Sequence, residues 1–283
     1  MQKNQSLDQP RIISQHAFGV YPEKIGEIAV LMERDRIEQY RGAFDKVLHE
    51  LRGGVYYGIT GLVNNREVSA IYSKGPSDIA DCVAFLSMSK TKCHTIFSTG
   101  SIGGLGDKVE MGDFVMADSA VGNDGYSQFL ARQRGETIEG FFGNIVYPNG
   151  NVLDLTQSAV REVAQEYGVK SHRGRLFTTP GVSLENDEFL REIVRNGSIA
   201  IDMETAQFYA ACQQYGFKSA AVHWVTDLPL TRNFFYRFHY PEQAKRDFDK
   251  KHPIWLNMAN IITTIIKEYI NNQGAVANEK AKP

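Results

Sequence analysis

The chain has few cysteines, no basic block and no long apolar run, and each shortage removes a class of function. Three cysteines, Cys82, Cys93 and Cys212, stand in 283 residues. An odd number at unrelated spacings suits neither a disulfide framework nor a zinc site. It reads as reduced, buried thiols of a cytosolic protein. Lys and Arg number 31 against 33 Asp and Glu, a net charge of −2. The basic residues are scattered, so nucleic-acid binding lacks its electrostatic footprint. The opening residues, MQKNQSLDQPR, hold no apolar h-region, and no secretion signal is expected. The most apolar C-terminal segment, WLNMANIITTIIKEYI, is broken by Asn257, Asn260, Thr263 and Thr264. It reads as a packed helix and not as a bilayer span. No internal repeat or linker is visible. The length suffices to bury one core, so a single domain is expected over 13–271, with 1–12 and 272–283 as frayed, flexible tails.

What the chain does have is alternation. Short apolar runs at 27–32, 67–73, 94–98, 112–118, 172–179, 198–202 and 219–227 read as strands. Between them lie segments of helical spacing. The first covers 36–51, through Ile37, Tyr40, Phe44, Val47, Leu48 and Leu51. The second is GPSDIADCVAFLSMS, with Ile79, Cys82, Val83 and Leu86 on one face. Further helices are expected at 156–168 with Thr156 at its start and Gly168 at its end, at 186–197 with Asn186 as N-cap, from Met203 to Gly216, and within 241–271. Alternating strands and helices predict an α/β domain whose apolar strands are covered on both faces.

Ligand sites in such folds gather where strands end and loops begin. Four junctions qualify: LMERDR, STGSIGG, DMETAQ and VTDLPL. In STGSIGGLGD the glycines at 100, 103, 104 and 106 would let backbone amides approach a ligand, and Ser98, Thr99 and Ser101 add hydroxyls. The pattern is neither the dinucleotide fingerprint GxGxxG nor a P-loop, which would carry a Lys. By itself it reads equally as a tight crossover turn. Glu204 stands where an apolar strand gives way to a helix, a place that also suits a simple cap. Asp227 ends the strand of Ala220, Ala221, Val222, Trp224 and Val225. Apolar surroundings raise a carboxyl pKa, which makes Asp227 a candidate proton donor. Its bland reading is a turn former before Pro229.

Taken together and in this order, STGSIGGL…GD, DMETA and VTD resemble the nucleoside phosphorylase and nucleosidase superfamily. The resemblance runs from about His16 to the last helix. It implies a single-domain three-layer sandwich, a central mixed, twisted sheet flanked by helices. By resemblance, Glu204 accepts hydrogen bonds from the ribose 2′- and 3′-hydroxyls and Met203 packs on the sugar. An ionised acceptor suits a vicinal diol because it can take both protons. Asp227 then donates a proton to the purine N7 as the glycosidic bond breaks, which is general acid catalysis. Arg237 or Arg232 downstream would assist at the base. His16 occupies the place of a histidine that reaches the ribose 5′-hydroxyl of a neighbouring subunit, which implies a homodimer or a hexamer built as a trimer of dimers.

The attacking group admits two registers. Against the phosphorylase element GDPxR, MERDR puts Met32 for the Gly, Arg34 for the Pro, and keeps Arg36. Arg36 would hold phosphate, with Arg52 lent across the dimer, Ser101 and the amide of Gly100. A phosphate wants several donors and guanidinium forks. Ser98 stands where the uridine and hexameric purine enzymes carry an Arg. Against the nucleosidase element AMEEE, the same stretch makes Asp35, with Glu33 nearby, the base that activates water; STGSIGGL is also close to the nucleosidase NTGSAGGL. The implied reaction is phosphorolysis of a purine nucleoside to free base and ribose 1-phosphate, with hydrolysis as the alternative. Inorganic phosphate is then a co-substrate, and no cofactor, metal, nucleic acid or membrane is implied. Val182 or Ser183 takes the place of the base-stacking Phe. The aromatic run NFFYRFHY after Asp227 is a lid or, equally, an interface. A catalytically silent binding or storage member and a dinucleotide-dependent oxidoreductase remain as other classes, the last disfavoured by the missing GxGxxG.

Overall fold

The computed structural model describes residues 8–32, 37–73, 75–138, 140, 142–231 and 253–280. The elements in chain order are α1 (Gln9–Phe18), β1 (Ile28–Met32), α2 (Ile37–Ala43), β2 (Lys46–Arg52), β3 (Tyr57–Val63), β4 (Arg66–Tyr72) and α3 (Pro76–Met88). There follow β5 (Thr95–Thr99), β6 (Ser101–Gly104), β7 (Phe114–Gly122), α4 (Tyr126–Gln133), α5 (Val152–Glu166) and β8 (Ser171–Thr178). The last are α6 (Asp187–Arg195), β9 (Ser198–Asp202), α7 (Thr205–Tyr215), β10 (Lys218–Asp227) and α8 (Pro253–Lys280).

One sheet runs in the order β2-β3-β4-β1-β5-β10-β6-β9-β8-β7, and β7 also pairs with β10. Its second half therefore curls into a closed ring of five strands. Pairing is parallel for β4–β1–β5–β10–β6 and β9–β8–β7, and antiparallel at β2–β3–β4, β6–β9 and β7–β10. The period-2 pattern explains the layering. In β1, Ala29 and Leu31 pack into the apolar cluster of α1, α3, α4 and α7, whereas Ile28, Val30 and Met32 pack into that of α2, α5 and α8. A smaller cluster joins Leu190 and Ile193 of α6 to Leu105, Val121, Phe177 and Ile201 beside the ring. The sheet is mixed and covered on both faces, as the resemblance implies.

Four local expectations change. The helix predicted over 36–51 stops at Ala43, and Lys46–Arg52 is an edge strand instead. Val47, His49 and Leu51 fit a period of two as well as Ile37, Tyr40 and Phe44 fit a helix. Pairing with β3 decides between them, and the ring of Phe44 occupies the space a side chain at Gly61 would fill. Asn64 and Asn65, both at positive φ, form the β3–β4 hairpin turn that presents this edge. Thr156 is not a helix start, because α5 begins at Val152 and the Thr156 hydroxyl donates back to the carbonyls of Val152 and Leu153. The first helix begins at Gln9, and the last runs to Lys280, past 271. Asn186 does cap α6, accepting from the Phe189 N–H at 3.0 Å. All three cysteines are free and buried.

Candidate active site

Strand β10 changes partner midway. Lys218–Ala221 pair with Thr95–Ser98 of β5, and Trp224–Asp227 pair with Ser101–Gly103 of β6. Gly100 is the crossing point, and its carbonyl accepts from the Trp224 N–H at 3.1 Å. On the other side of β6, Gly103 faces Ile201 of the antiparallel β9. Continuing that register carries Met203 and Glu204 toward Gly100, while Asp227 lies opposite Gly103. The two carboxyl groups thus stand toward opposite ends of one short strand.

Asp227 is largely buried, and burial pushes its carboxyl from an ordinary 3.8 up to about 6. The Thr226 hydroxyl, 2.9 Å from Asp227 Oδ1, favours the charged form and only partly opposes that shift. Beside it stands Glu185, which no sequence signal marks and which directly follows the 3-10 turn Val182–Leu184. Burial first, and then the charge of Asp227, raise the Glu185 carboxyl to about 7. Like charges in one partly buried corner suppress each other's ionisation, so this corner retains a proton near neutrality. A lone Glu before an N-cap reads, from sequence, as an ordinary helix start.

Glu204 is 6 % exposed and sits at the tip of a tight turn. Asp202 closes that turn by accepting from the Thr205 N–H at 3.0 Å, so Met203 and Glu204 are held between them. The Met203 N–H donates to Glu204 Oε2 at 2.9 Å, and the Met203 carbonyl accepts from Gln207 Nε2 at 2.6 Å. Asp202 in turn accepts from Thr178 Oγ1 at 2.7 Å and from the Thr205 hydroxyl, which lies 2.9 Å from His223 Nε2.

The rest of the site falls along the rim. Met32 pairs with Tyr72 on one side and Thr99 on the other, so the chain leaves β1 directly beside the Gly100 crossover. The segment that follows, with Glu33, Arg34, Asp35 and Arg36, lies outside the described residues, as do Arg232, Arg237 and NFFYRFHY. Arg52, Tyr57, Tyr72, Met32 and Thr99 form one row across five strands. At 4.7–4.9 Å per strand Arg52 stands about 19 Å from Thr99, beyond its own side chain's reach. It is 81 % exposed and pairs with Glu50. His16 is exposed near it, its carbonyl accepting from the Gly54 N–H at 2.8 Å. Ser98 is fully buried, and its hydroxyl has no partner among the described residues. Gly100 and Ser101 are half-buried, and Val182 and Ser183 are exposed.

Two of the glycines do something other than expected. A side chain at Gly103 would strike Pro229 at 2.8 Å, and one at Gly104 would strike Val109 at 2.8 Å and Leu228 at 2.9 Å. Their bareness admits the protein's own loop, not a ligand. Gly100, at the crossover, is the one whose place still borders the site.

A family model described as the phosphorylase superfamily matches residues 28–262. The DeoD-type purine nucleoside phosphorylase of Anoxybacillus flavithermus is 26 % identical over 144 residues, 51 % of this chain and 56 % of that protein, so the match spans little more than half of that relative's length. The DeoD-type enzyme of Roseobacter denitrificans is 24 % identical over 74 % of this chain and 86 % of its own. Among solved structures, uridine phosphorylase from Vibrio fischeri superimposes with a TM-score of 0.70 at 16 % identity, covering 92 % of this chain and 98 % of its own. The 5′-methylthioadenosine/S-adenosylhomocysteine nucleosidase of Neisseria meningitidis gives 0.66 at 19 %, covering 85 % and 98 %. At these identities the solved structures speak for the fold.

Proposed function

The chain belongs to the phosphorylase superfamily, and from that premise we propose that it breaks the N-glycosidic bond of a purine nucleoside. The observation that carries the reading is Asp227. It is a largely buried carboxyl raised to about 6 at the mouth of β10, in register with Gly103 of β6, whose other side pairs with β9, the strand that leads to Glu204. A purine leaves as an anion unless N7 is protonated, and an acid with a pKa near the working pH donates most effectively. Glu204, held at its turn, accepts the two ribose hydroxyls, with Met203 against the sugar. Phosphate would attack from the β1 side, held by Arg36, the Gly100 amide and Ser101, with Arg52 and His16 supplied by a neighbouring copy. No metal or cofactor has a part in this scheme. The similarity to DeoD-type purine nucleoside phosphorylases supports this choice of base and co-substrate.

One observation favours water in place of phosphate. Ser98, where the phosphorylases carry an Arg, is a buried hydroxyl, and Arg52 is turned to Glu50. In that second reading Asp35 activates water and the product is the free sugar. Both readings share Asp227, and its replacement tests them together. Asp227→Asn should lower kcat/KM for inosine and adenosine at least a hundredfold and for uridine far less. Equal losses on both bases would remove proton donation to N7.

A further inference from the structure

The family pattern accounts for Glu204 and Asp227 but leaves a buried histidine unused. His223 is fully buried on β10, four residues before Asp227, on the face covered by α7. Burial lowers its pKa, against the opposing pull of Asp202. A buried imidazole and a buried carboxylate are costly unless every partner is in place. An apolar side chain would fill the same space without that cost.

Counting protons shows what the arrangement achieves. The Asp202 carboxylate faces three donors: the Thr178 hydroxyl, the Thr205 N–H and the Thr205 hydroxyl. The Thr205 hydroxyl has a single proton, and Asp202 takes it. Thr205 Oγ1 can then accept from His223 Nε2, 2.9 Å away, in the tautomer that carries its proton there. Thr178 Oγ1 also accepts from the Ala206 N–H at 2.8 Å, tying the first turn of α7 to β8. Thr178, Thr205 and His223 are all 0 % exposed. The turn that displays Met203 and Glu204 is thus braced from beneath by β8, α7 and β10, and the outermost brace is His223.

We infer that His223 is a positioning residue: through Thr205 and Asp202 it fixes where the Glu204 carboxylate stands relative to Asp227. Strand β10 carries the candidate acid on its last residue and holds the ribose-binding turn through His223. One strand therefore sets the spacing between the group that meets the sugar and the group that meets the base. The inference rests on the reading of Glu204 as the ribose acceptor.

The test is the preference for inosine over 2′-deoxyinosine, which reports whether Glu204 still meets the 2′-hydroxyl. Thr205→Val keeps the shape and removes the link; His223→Leu removes the brace. Both should lower kcat/KM for inosine at least tenfold, mainly through KM, and cut the ribose preference toward one. Thr205→Ser and His223→Gln, which retain a hydroxyl and an N–H donor, should restore the preference to within about threefold of the parent. If the link-breaking variants lose only thermal stability and keep the parent's preference, His223 is structural and the inference fails. If His223→Leu does not fold, the isosteric Thr205→Val decides the matter by the same ratio. A parent protein that releases base from neither nucleoside nor from adenosine would instead overturn the functional reading, and this proposal with it.

Discussion

Asp227→Asn should make the protein more stable and less active at once. The carboxyl rises from 3.8 to about 6 because it is buried. Two units at 1.36 kcal/mol each amount to about 3 kcal/mol by which the folded state disfavours the charged form. Below pH 3.8 the carboxyl is neutral in both the folded and unfolded chains, so Asp and Asn should differ little there. As pH rises through about 6, the folded chain must ionise a group it disfavours, and the parent loses stability relative to the Asn variant. Above pH 7 the whole difference, up to about 3 kcal/mol, should favour the variant. Charge relief at Glu185 adds in the same direction, because Asp227 is one of the two causes of its raised pKa. The assay is urea unfolding of both proteins at pH 4.5 and pH 8, beside kcat/KM for inosine over the same range. The parent's activity should decline above about pH 6, as the acid form is lost, and the variant's residual activity should lose that limb. A variant no more stable relative to the parent at pH 8 than at pH 4.5 would refute the burial argument, and with it the proton donor.

Other outcomes follow from the same geometry. Glu204→Ala removes charged hydrogen bonds worth about 1.5–3 kcal/mol each, so kcat/KM for ribonucleosides should fall roughly a hundredfold or more; near-normal turnover would contradict the ribose assignment. If Arg52 is lent across the dimer, Arg52→Ala and Glu204→Ala, each impaired alone, should regain activity when dissociated and reassembled together, since Arg52 stands too far along the rim to serve its own site; no recovery in mixed assemblies would count against the lent arginine. Gly104→Ala should cost about 1–3 kcal/mol, because the new methyl meets Val109 and Leu228 below 3 Å; an unchanged urea midpoint would show that the loop yields. Asn186→Ala should cost about 1 kcal/mol through the lost cap on α6 and leave kcat/KM untouched.

What was legible in the sequence was local. Buried strands such as Ile28–Met32 and Lys218–Asp227 are apolar enough to read directly, and Glu204 and Asp227 stand out because each ends such a run. The edge strand Lys46–Arg52 was hidden because its apolar residues also fit a helical period, and only pairing with β3 decides between the two. The short β6 was hidden because glycines that look like room for a ligand are room for Pro229 and Leu228. The braces beneath Glu204 were illegible for a different reason. Thr178 meets Asp202 across 24 residues and Thr205 meets His223 across 18, and no spacing rule announces such contacts. Glu185 became visible only when the fold brought it beside Asp227.

The central claim is cleavage of a purine N-glycosidic bond, and base release tests it most directly. Inosine, adenosine, guanosine, methylthioadenosine and uridine should be incubated with the protein in buffer freed of phosphate, and again with phosphate added. The account predicts release of purine bases well ahead of uracil. With phosphate required, the sugar appears as ribose 1-phosphate and Arg36 belongs to the site; without it, free sugar appears and Asp35 takes that place. No release from any purine nucleoside in either buffer would contradict the account.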